Sequence, residues 1–345
     1  MALKRCYDDS QMNASGRKLT LLILVLGFCI TGSPQGPAAA SCGENDQING
    51  PKRQVIETVA LNFVQTLLGS NPSAAYTLLS EPGKREAPNE EALKRAGDAI
   101  QHFKPVDVKI QHTYVVDIVG KSPGRVICGS NLSKPEGWVS VVAANVSEQA
   151  YVLLSAEAIN NQFVFTVWLI PEAGAWKVQS FSTNAVTLAD QGTDQLRERA
   201  RVQKAKGHDF NAALLYSAVM QTTNRGPDFQ LGMTDSIAKE ASQLHLRSEI
   251  GGHPPFEWKA SDMTFWVLNV GPVAVGGKIY VMIQDESPAW STDAQIDGWN
   301  KKLIAYFKGR FPEYSDVFAG IVVRANEKGT HRGFGTVEEV PSAAK

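Results

Sequence analysis

The feature that most constrains the fold is a change in hydrophobic rhythm close to Pro105. Before it, apolar residues recur every three or four positions, which places them on one face of a helix. The clearest helical stripe consists of Ile56, Val59, Ala60, Phe63, Val64 and Leu67. From Val106 onward, apolar and polar residues alternate, as they do in half-buried strands. The chain is therefore predicted to be an α+β protein that opens with helices and continues as an antiparallel sheet.

The first folded domain is predicted to span residues 52–190, after a polar, Gly- and Asn-rich tether at 41–51. It contains three predicted helices, at 56–67, 74–79 and 89–103. Five predicted strands follow, at 106–118, 138–144, 150–159, 162–171 and 176–188. On the first strand, period-two spacing puts Val108, Ile110, His112, Tyr114, Val116 and Ile118 on one face.

A chain of 345 residues is too long for one average domain. Residues 191–250 show helical stripes and are predicted to form a helical connector. Residues 251–345 contain two strand patterns, a helix pattern and two more strand patterns, so a small ββαββ module is expected there.

Residues 1–40 have the layout of an export signal, with basic residues before the apolar run Leu19–Ile30 and small residues at its end. The run is shorter than a stable membrane span requires. Three outcomes remain open: cleavage before Ser41, lipidation of Cys42 in the lipobox-like Ala39–Cys42 stretch, or a retained helix. The protein is expected to be exported to the periplasm, cell envelope or exterior, with membrane contact only through this signal or a lipid anchor.

Two cysteines, Cys42 and Cys128, lie beyond the predicted signal. In an oxidising compartment three alternatives stay open: a single disulfide between them, an odd Cys128 thiol if Cys42 carries lipid, or a buried Cys128 that acts as a small apolar residue. The charged residues nearly balance, with 34 Lys and Arg against 35 Asp and Glu. Such a chain lacks the basic surplus that binds nucleic acid, so no nucleic-acid partner is predicted.

Three helices followed by a curved antiparallel sheet that ends in Trp176–Phe181 resemble the nuclear transport factor two-like superfamily. Members wrap a bent sheet around a long helix to form a cone with an apolar pocket, and they often dimerise through the sheet. The resemblance covers residues of about 52–188, under half of the chain. It implies a small hydrophobic ligand and a homodimer. As a whole, the chain resembles exported bacterial envelope proteins for which no activity is known.

Enzymes of this superfamily, such as ketosteroid isomerase and scytalone dehydratase, place a few polar groups in the cone. The resemblance therefore makes His112 and Tyr114 candidate pocket residues, joined by Tyr151 and Trp168. An imidazole there would act as a base and a phenol would hold a developing oxyanion. The alternative is that these side chains are hydrogen-bonded core residues, because no carboxylate was placed on their face. We accordingly expect a non-catalytic binding protein with an unknown protein or small hydrophobic partner, and keep a proton-transfer isomerase or dehydratase as the alternative.

Other motifs give little support for bound cofactors or metals. The six histidines show no metal-ligand spacing and no Cys-x-x-Cys is present, so neither a metal nor a cofactor is predicted. Gly271–Lys278 departs from a phosphate-binding loop and is interpreted as a hairpin turn. The acidic pair Asp285-Glu286 is expected at a solvated strand end. The basic run from Arg197 to Lys206 is expected on a solvated helix face.

Overall fold

The computed structural model describes residues 39–159, 161–246, 250, 253–260 and 263–341. All of them belong to one compact unit. The described ranges contain eight α-helices and four sheets, so the predicted α+β class is confirmed. Most of the predicted export signal, residues 1–38, lies outside the described residues.

Four helices, rather than three, precede the strand that begins at Val106: α1 (Gly50–Leu68), α2 (Pro72–Thr77), α3 (Glu81–Glu86) and α4 (Glu90–Gln101). Each begins after a residue whose side chain accepts a hydrogen bond from the first turn, namely Asn49, Asn71, Ser80 and Asn89. The additional helix is α3. Its Pro82 lies in the first turn, where proline is well tolerated.

The main sheet is antiparallel and has the strand order β1-β2-β5-β6-β7. Its strands are β1 (Ala39–Glu44), β2 (Val106–Val119), β5 (Glu148–Ala158), β6 (Asn161–Glu172) and β7 (Ala175–Ala185). Helix α1 packs across one face of this sheet. The space between them is filled by fully buried side chains such as Phe63, Val152 and Phe165.

Strand β2 does not keep one face along its length. Ile110 pairs with Leu154 and His112 pairs with Leu153, so Gln111 is an extra residue in a β-bulge. Val108 and Ile110 therefore face α1, whereas Tyr114, Val116 and Ile118 face the opposite side of the sheet. The prediction that all these residues share one face was wrong, because a single inserted residue reverses the alternation.

A second, three-stranded sheet covers the face of the main sheet opposite α1. It has the order β10-β4-β3 and consists of β3 (Arg125–Cys128), β4 (Val139–Val142) and β10 (Phe229–Leu231). A separate apolar core lies between the two sheets, around Tyr114, Tyr151, Trp168, Val141 and Phe229. The aromatic face of β2 is thus closed by residues that come from two distant parts of the chain.

A disulfide joins Cys42 on β1 to Cys128 on β3, across a sequence separation of 86 residues. It fixes β1 where the sequence predicted a tether. That prediction was wrong, since residues 41–51 contain the end of β1, a 3-10 turn at Asn45–Gln47 and the start of α1. The disulfide and the pairing of β1 with β2 supply long-range contacts that local polarity does not reveal.

After the main sheet come β8 (Thr187–Leu188), β9 (Gln191–Gly192), α5 (Thr193–Ala205), α6 (Asp209–Thr223) and α7 (Met233–Ala241). The last sheet has the order β11-β12-β13-β14-β15, with β13 and β14 parallel and the other pairs antiparallel.

Its strands are β11 (Phe256–Lys259), β12 (Thr264–Val275), β13 (Lys278–Ser287), β14 (Gly320–Glu327) and β15 (Gly333–Glu339), and α8 (Asp293–Arg310) connects the parallel pair. The predicted ββαββ order is present with one strand, β11, added in front. Residues from α5, α6, α8 and this sheet share one hydrophobic core, which includes Leu196, Phe210, Val281 and Phe307.

Candidate binding cleft

A surface cleft of about 650 Å³ lies where the end of β1, the middle of β2 and the loop before β4 meet. The residues of its wall that matter for binding are Glu44, Asp46, His112, Tyr114, Glu136 and Trp138. Two of the four candidate pocket residues, His112 and Tyr114, therefore line one cleft. The cleft is on the side of the sheet away from α1, because of the bulge at Gln111.

His112 is held on both sides of its ring. Its Nε2 lies 3.0 Å from a carboxylate oxygen of Glu44. The amide nitrogen of Asn45 lies 3.0 Å from Nδ1 and 3.1 Å from Nε2. The amide oxygen of Asn45 accepts a hydrogen bond from the backbone N–H of Thr113 at 3.0 Å, so the NH₂ end must face the ring.

Glu44 and Asn45 together hold the His112 ring in place. Each ring nitrogen lies about 3 Å from a polar atom of one of these two side chains. A general base needs a free nitrogen directed at its substrate, and both ring nitrogens of His112 have a protein contact in this arrangement.

The local backbone explains how Glu44 and Asn45 reach His112. Asn45 has φ +46°, in the left-handed region that asparagine tolerates better than most residues. The 3-10 turn that follows is closed by the Gln47 side chain, which accepts the backbone N–H of Glu44 at 3.1 Å. Glu44 is also the cross-strand neighbour of Tyr114. The turn after β1 thus presents a carboxylate and an amide to β2.

Tyr114 forms part of the cleft wall and is only 7% exposed. Its ring stacks on His112 with a centroid distance of 4.3 Å. Burial, and secondarily the charge of Glu44, raises the pKa of the Tyr114 phenol above its usual range, so the hydroxyl stays protonated. This hydroxyl makes no hydrogen bond to another residue that the structure describes, and Tyr114 lines the cleft. It is available to a ligand as donor or acceptor.

The charge lining the cleft is negative. Asp46 is paired with Arg53 at 2.6 Å, and Glu136 lies 3.9 Å from Arg197. Both arginines reach these carboxylates from outside the cleft, and within the described ranges no Lys or Arg lines it. Glu44 is 17% exposed, and one of its carboxylate oxygens lies 3.0 Å from Nε2 of His112.

Trp138 supplies the second aromatic surface of the cleft and is half-buried. Its indole ring packs directly against the backbone of Gly232 at the start of α7. A Cβ atom at that position would lie 2.4 Å from the ring. The backbone N–H of Gly232 also donates to the Trp138 carbonyl at 3.0 Å. The only residue type that permits this approach is glycine, and it fixes the ring beside the cleft.

Tyr151 and Trp168 are on the same sheet face as Tyr114 but outside the cleft. The three residues form a cross-strand row, and the Tyr151 and Trp168 rings stack at 5.4 Å. The Tyr151 hydroxyl donates to the Val142 carbonyl at 2.8 Å, and both side chains line a separate cavity of about 80 Å³. The four predicted pocket residues therefore divide between a large cleft and a small interior space.

The charged motifs of the helical segment serve the fold. Arg197 and Arg201 both donate to Glu240 on α7, at 2.6 and 2.7 Å, and the Tyr216 hydroxyl donates to the same carboxylate. Hydrogen bonds from Arg201, and then from Arg197 and Tyr216, lower the pKa of Glu240 to about 2 against the cost of its burial. Part of the basic run that was predicted to be solvated thus forms ion pairs that connect α5 to α7.

Two motifs of the C-terminal segment are also accounted for. Gly276 and Gly277 have positive φ in the turn between β12 and β13, so the predicted hairpin turn at Gly271–Lys278 is confirmed. Asp285 contradicts its prediction, because it is 0% exposed and not at a solvated strand end. Its partner in the pair, Glu286, is bonded to Lys328 at 2.8 Å. Adjacent strand residues do face opposite sides, and the Asp285 side is the buried one.

Sequence reasoning missed Glu44, Asn45, Glu136 and Trp138. The first two fall in the supposed tether, and the only local signal was an asparagine suited to a left-handed turn. In the described part of the chain no group of three or more His, Cys, Asp or Glu side chains is arranged to hold a metal ion. None of the helices there has both the length and the apolar character that crossing a membrane requires.

Comparison of the chain with protein-family models, curated proteins and solved structures found no match. The cleft therefore has to be interpreted from its own chemistry.

Proposed function

We propose that the protein is an exported, non-catalytic binding protein that takes a polar ligand in the cleft beside His112. The observation that carries this proposal is the surroundings of the His112 ring. Its Nε2 lies 3.0 Å from a Glu44 carboxylate oxygen and its Nδ1 lies 3.0 Å from the Asn45 amide nitrogen, at the edge of a cleft that is otherwise open. Residues that would have to exchange protons are instead tied into the wall, which favours binding over catalysis.

Export is supported by two independent features. The sequence of residues 1–40 has the order of basic, apolar and small residues found in export signals. The Cys42–Cys128 disulfide is of the kind that persists in oxidising compartments. A thioether to lipid and this disulfide both require the Cys42 sulfur, so lipid anchoring at Cys42 would need the bridge to be absent.

Membership of residues 52–190 in the nuclear transport factor two-like superfamily is likewise a proposal. Its support is a long helix, α1, packed across an antiparallel five-stranded sheet. The apolar space between them is filled by side chains such as Phe63 and Phe165. For that reason we assign the ligand to the polar cleft on the other side of the sheet and not to the cone.

A proton-transfer enzyme is the second candidate, because Glu44, His112 and Tyr114 stand together in one cleft. It is less well supported. Catalysis would require Asn45 to release Nδ1, yet the amide of Asn45 is oriented by its bond from Thr113.

A thermal-shift screen with small polar metabolites tests the binding proposal, because a ligand that binds only the folded state raises the unfolding temperature. Hits on the wild-type protein are repeated on Trp138→Ala, which removes one wall of the cleft. Trp266→Ala is the matched control, since Trp266 is 44% exposed and lies on β12. We expect stabilisation that is lost in Trp138→Ala and kept in Trp266→Ala. Hits that persist in both variants, or no hits at all, would refute the proposal, whereas turnover of a hit would favour the enzyme.

A further inference from the structure

We propose that the cleft selects small organic cations, and specifically the ammonium group of an aliphatic amine. The inference rests on the proposed binding function of this cleft and adds the chemical class of the ligand. It follows from three features of the wall that the structure describes: carboxylates without any Lys or Arg in the lining, two aromatic surfaces, and a phenol that makes no hydrogen bond to a described residue.

The carboxylate that lies deepest in the cleft wall is Glu44. Its side chain is 17% exposed, and one of its carboxylate oxygens lies 3.0 Å from Nε2 of His112. A carboxylate that is largely removed from water gains from a positive charge brought next to it. The other two carboxylates, Asp46 and Glu136, add to the negative potential at the cleft mouth.

The aromatic surfaces are those of Trp138 and Tyr114. Cations are attracted to the faces of such rings, most strongly to indole. Trp138 is fixed in place by its contact with Gly232, and Tyr114 is fixed by stacking on His112. A ligand therefore meets preorganised rings, which reduces the entropic cost of binding.

The hydroxyl of Tyr114 is the observation that points to a ligand independently of charge. The residue is 7% exposed and lines the cleft, and its hydroxyl makes no hydrogen bond to any described residue. An ammonium group has three N–H donors and no acceptor. It can donate to Glu44 and to the phenol oxygen together, which a carboxylate ligand cannot do.

The same wall disfavours the other classes. Neither Lys nor Arg lines the part of the cleft that the structure describes, so an anion would meet the repulsion of Glu44, Asp46 and Glu136 without either of these cations to offset it. A metal ion prefers several oxygen or nitrogen ligands converging on one point, and the described residues supply no such cluster. An organic cation needs one close carboxylate and an aromatic surface, and both are present.

The test uses three six-carbon probes that differ only in their end groups: hexamethylenediamine, hexamethylene glycol and adipate. Their binding to the full disulfide-bonded protein is measured by calorimetry, with magnesium chloride as a metal control. We expect the diamine to bind at least about tenfold more tightly than the glycol, and adipate to bind more weakly still.

Glu44→Gln keeps an oxygen that can accept the His112 proton and removes the charge. It should weaken diamine binding about tenfold or more, and should leave glycol binding unchanged. Asp46→Asn, whose parent side chain is 98% exposed, is a second variant that perturbs the fold little and should weaken the diamine less. Glu257→Gln on β11, a carboxylate paired with Lys259, is the matched control and should change nothing.

The inference is overturned if glycol or adipate binds as tightly as the diamine, if magnesium displaces it, or if both charge variants leave diamine affinity intact. Glycol binding that is lost in Trp138→Ala, with no preference for the diamine, would remove the cation class but keep the proposed function. If no probe binds in a way that depends on Trp138, the cation inference fails here, and the metabolite screen decides the binding proposal separately.

Discussion

Asp285 lies at 0% exposure on β13, beneath α8, and gives the sharpest test of the energetics. One of its carboxylate oxygens accepts a hydrogen bond from the indole N–H of Trp299 at 2.7 Å, and the other is buried without a partner. Burial raises the pKa of Asp285 from 3.8 to about 6, although the Trp299 bond opposes this. The charged form is therefore poorly accommodated in the folded protein. Asp285→Asn should relieve this cost at neutral pH.

The magnitude follows from the shift in pKa. A difference of about 2.2 units, at about 1.36 kcal/mol per unit, makes ionised Asp285 destabilising by roughly 3 kcal/mol. The folded-state pKa of Asp285 is raised. The contribution of protonated Asp285 to the free energy of unfolding is therefore complete below the unfolded-state pKa of 3.8, and it is lost as pH rises through the folded-state pKa of about 6. The advantage of Asp285→Asn over wild type should thus be roughly 3 kcal/mol near pH 7.5 and about half of that near pH 5.

Equilibrium urea unfolding, followed by tryptophan fluorescence at both pH values, measures these free energies. Comparing the variant with wild type at each pH cancels the other titrating groups. Asp297→Asn on α8 is the matched control of opposite sign, since the pKa of Asp297 is lowered by its bond from Lys301 and it should lose stability at neutral pH. A gain in Asp285→Asn that does not change with pH, or a loss at neutral pH, would refute the reasoning.

Two further predictions concern the disulfide and the Glu240 ion pairs. The double variant Cys42→Ser, Cys128→Ser opens a loop of 86 residues, and chain entropy gives an upper limit of about 4–5 kcal/mol for the loss of unfolding free energy. Urea unfolding measures this loss, and the intact mass of untreated wild type should show a bridged pair without lipid. Glu240→Gln should destabilise the protein at neutral pH, because the lowered pKa of Glu240 contributes stability above pH 4.5 that is lost as pH falls towards 2. The difference in unfolding free energy between variant and wild type should therefore shrink on acidification. A difference that stays constant would contradict the role of Glu240 as a stabilising carboxylate between α5 and α7.

The sequence predicted the order of helices and strands well where periodicity was long, as in α1, β5 and β6. It could not predict the bulge at Gln111, because one inserted residue leaves the local pattern of apolar and polar residues almost unchanged while reversing the faces. That residue decides on which side of the sheet the candidate cleft lies.

The candidate site was predictable only in part for the same kind of reason. His112 and Tyr114 stood out because both are polar aromatics two positions apart on one strand. Glu44 did not, because β1 is defined by its pairing with β2 and by the disulfide, and neither can be deduced from the polar stretch around it. Contacts between distant segments, and not local propensity, place the charge that defines the chemistry of the cleft.

Strand β10 has a consequence for how the protein is made. Phe229 closes the aromatic row of Tyr114 and Tyr151, but it is synthesised about a hundred residues after Tyr114. During synthesis, the aromatic side of the main sheet therefore stays uncovered until the helices α5 and α6 have also emerged. A nascent chain in that state exposes apolar surface through which it can associate with its neighbours, and the core of its first half is completed only by a strand from its second half.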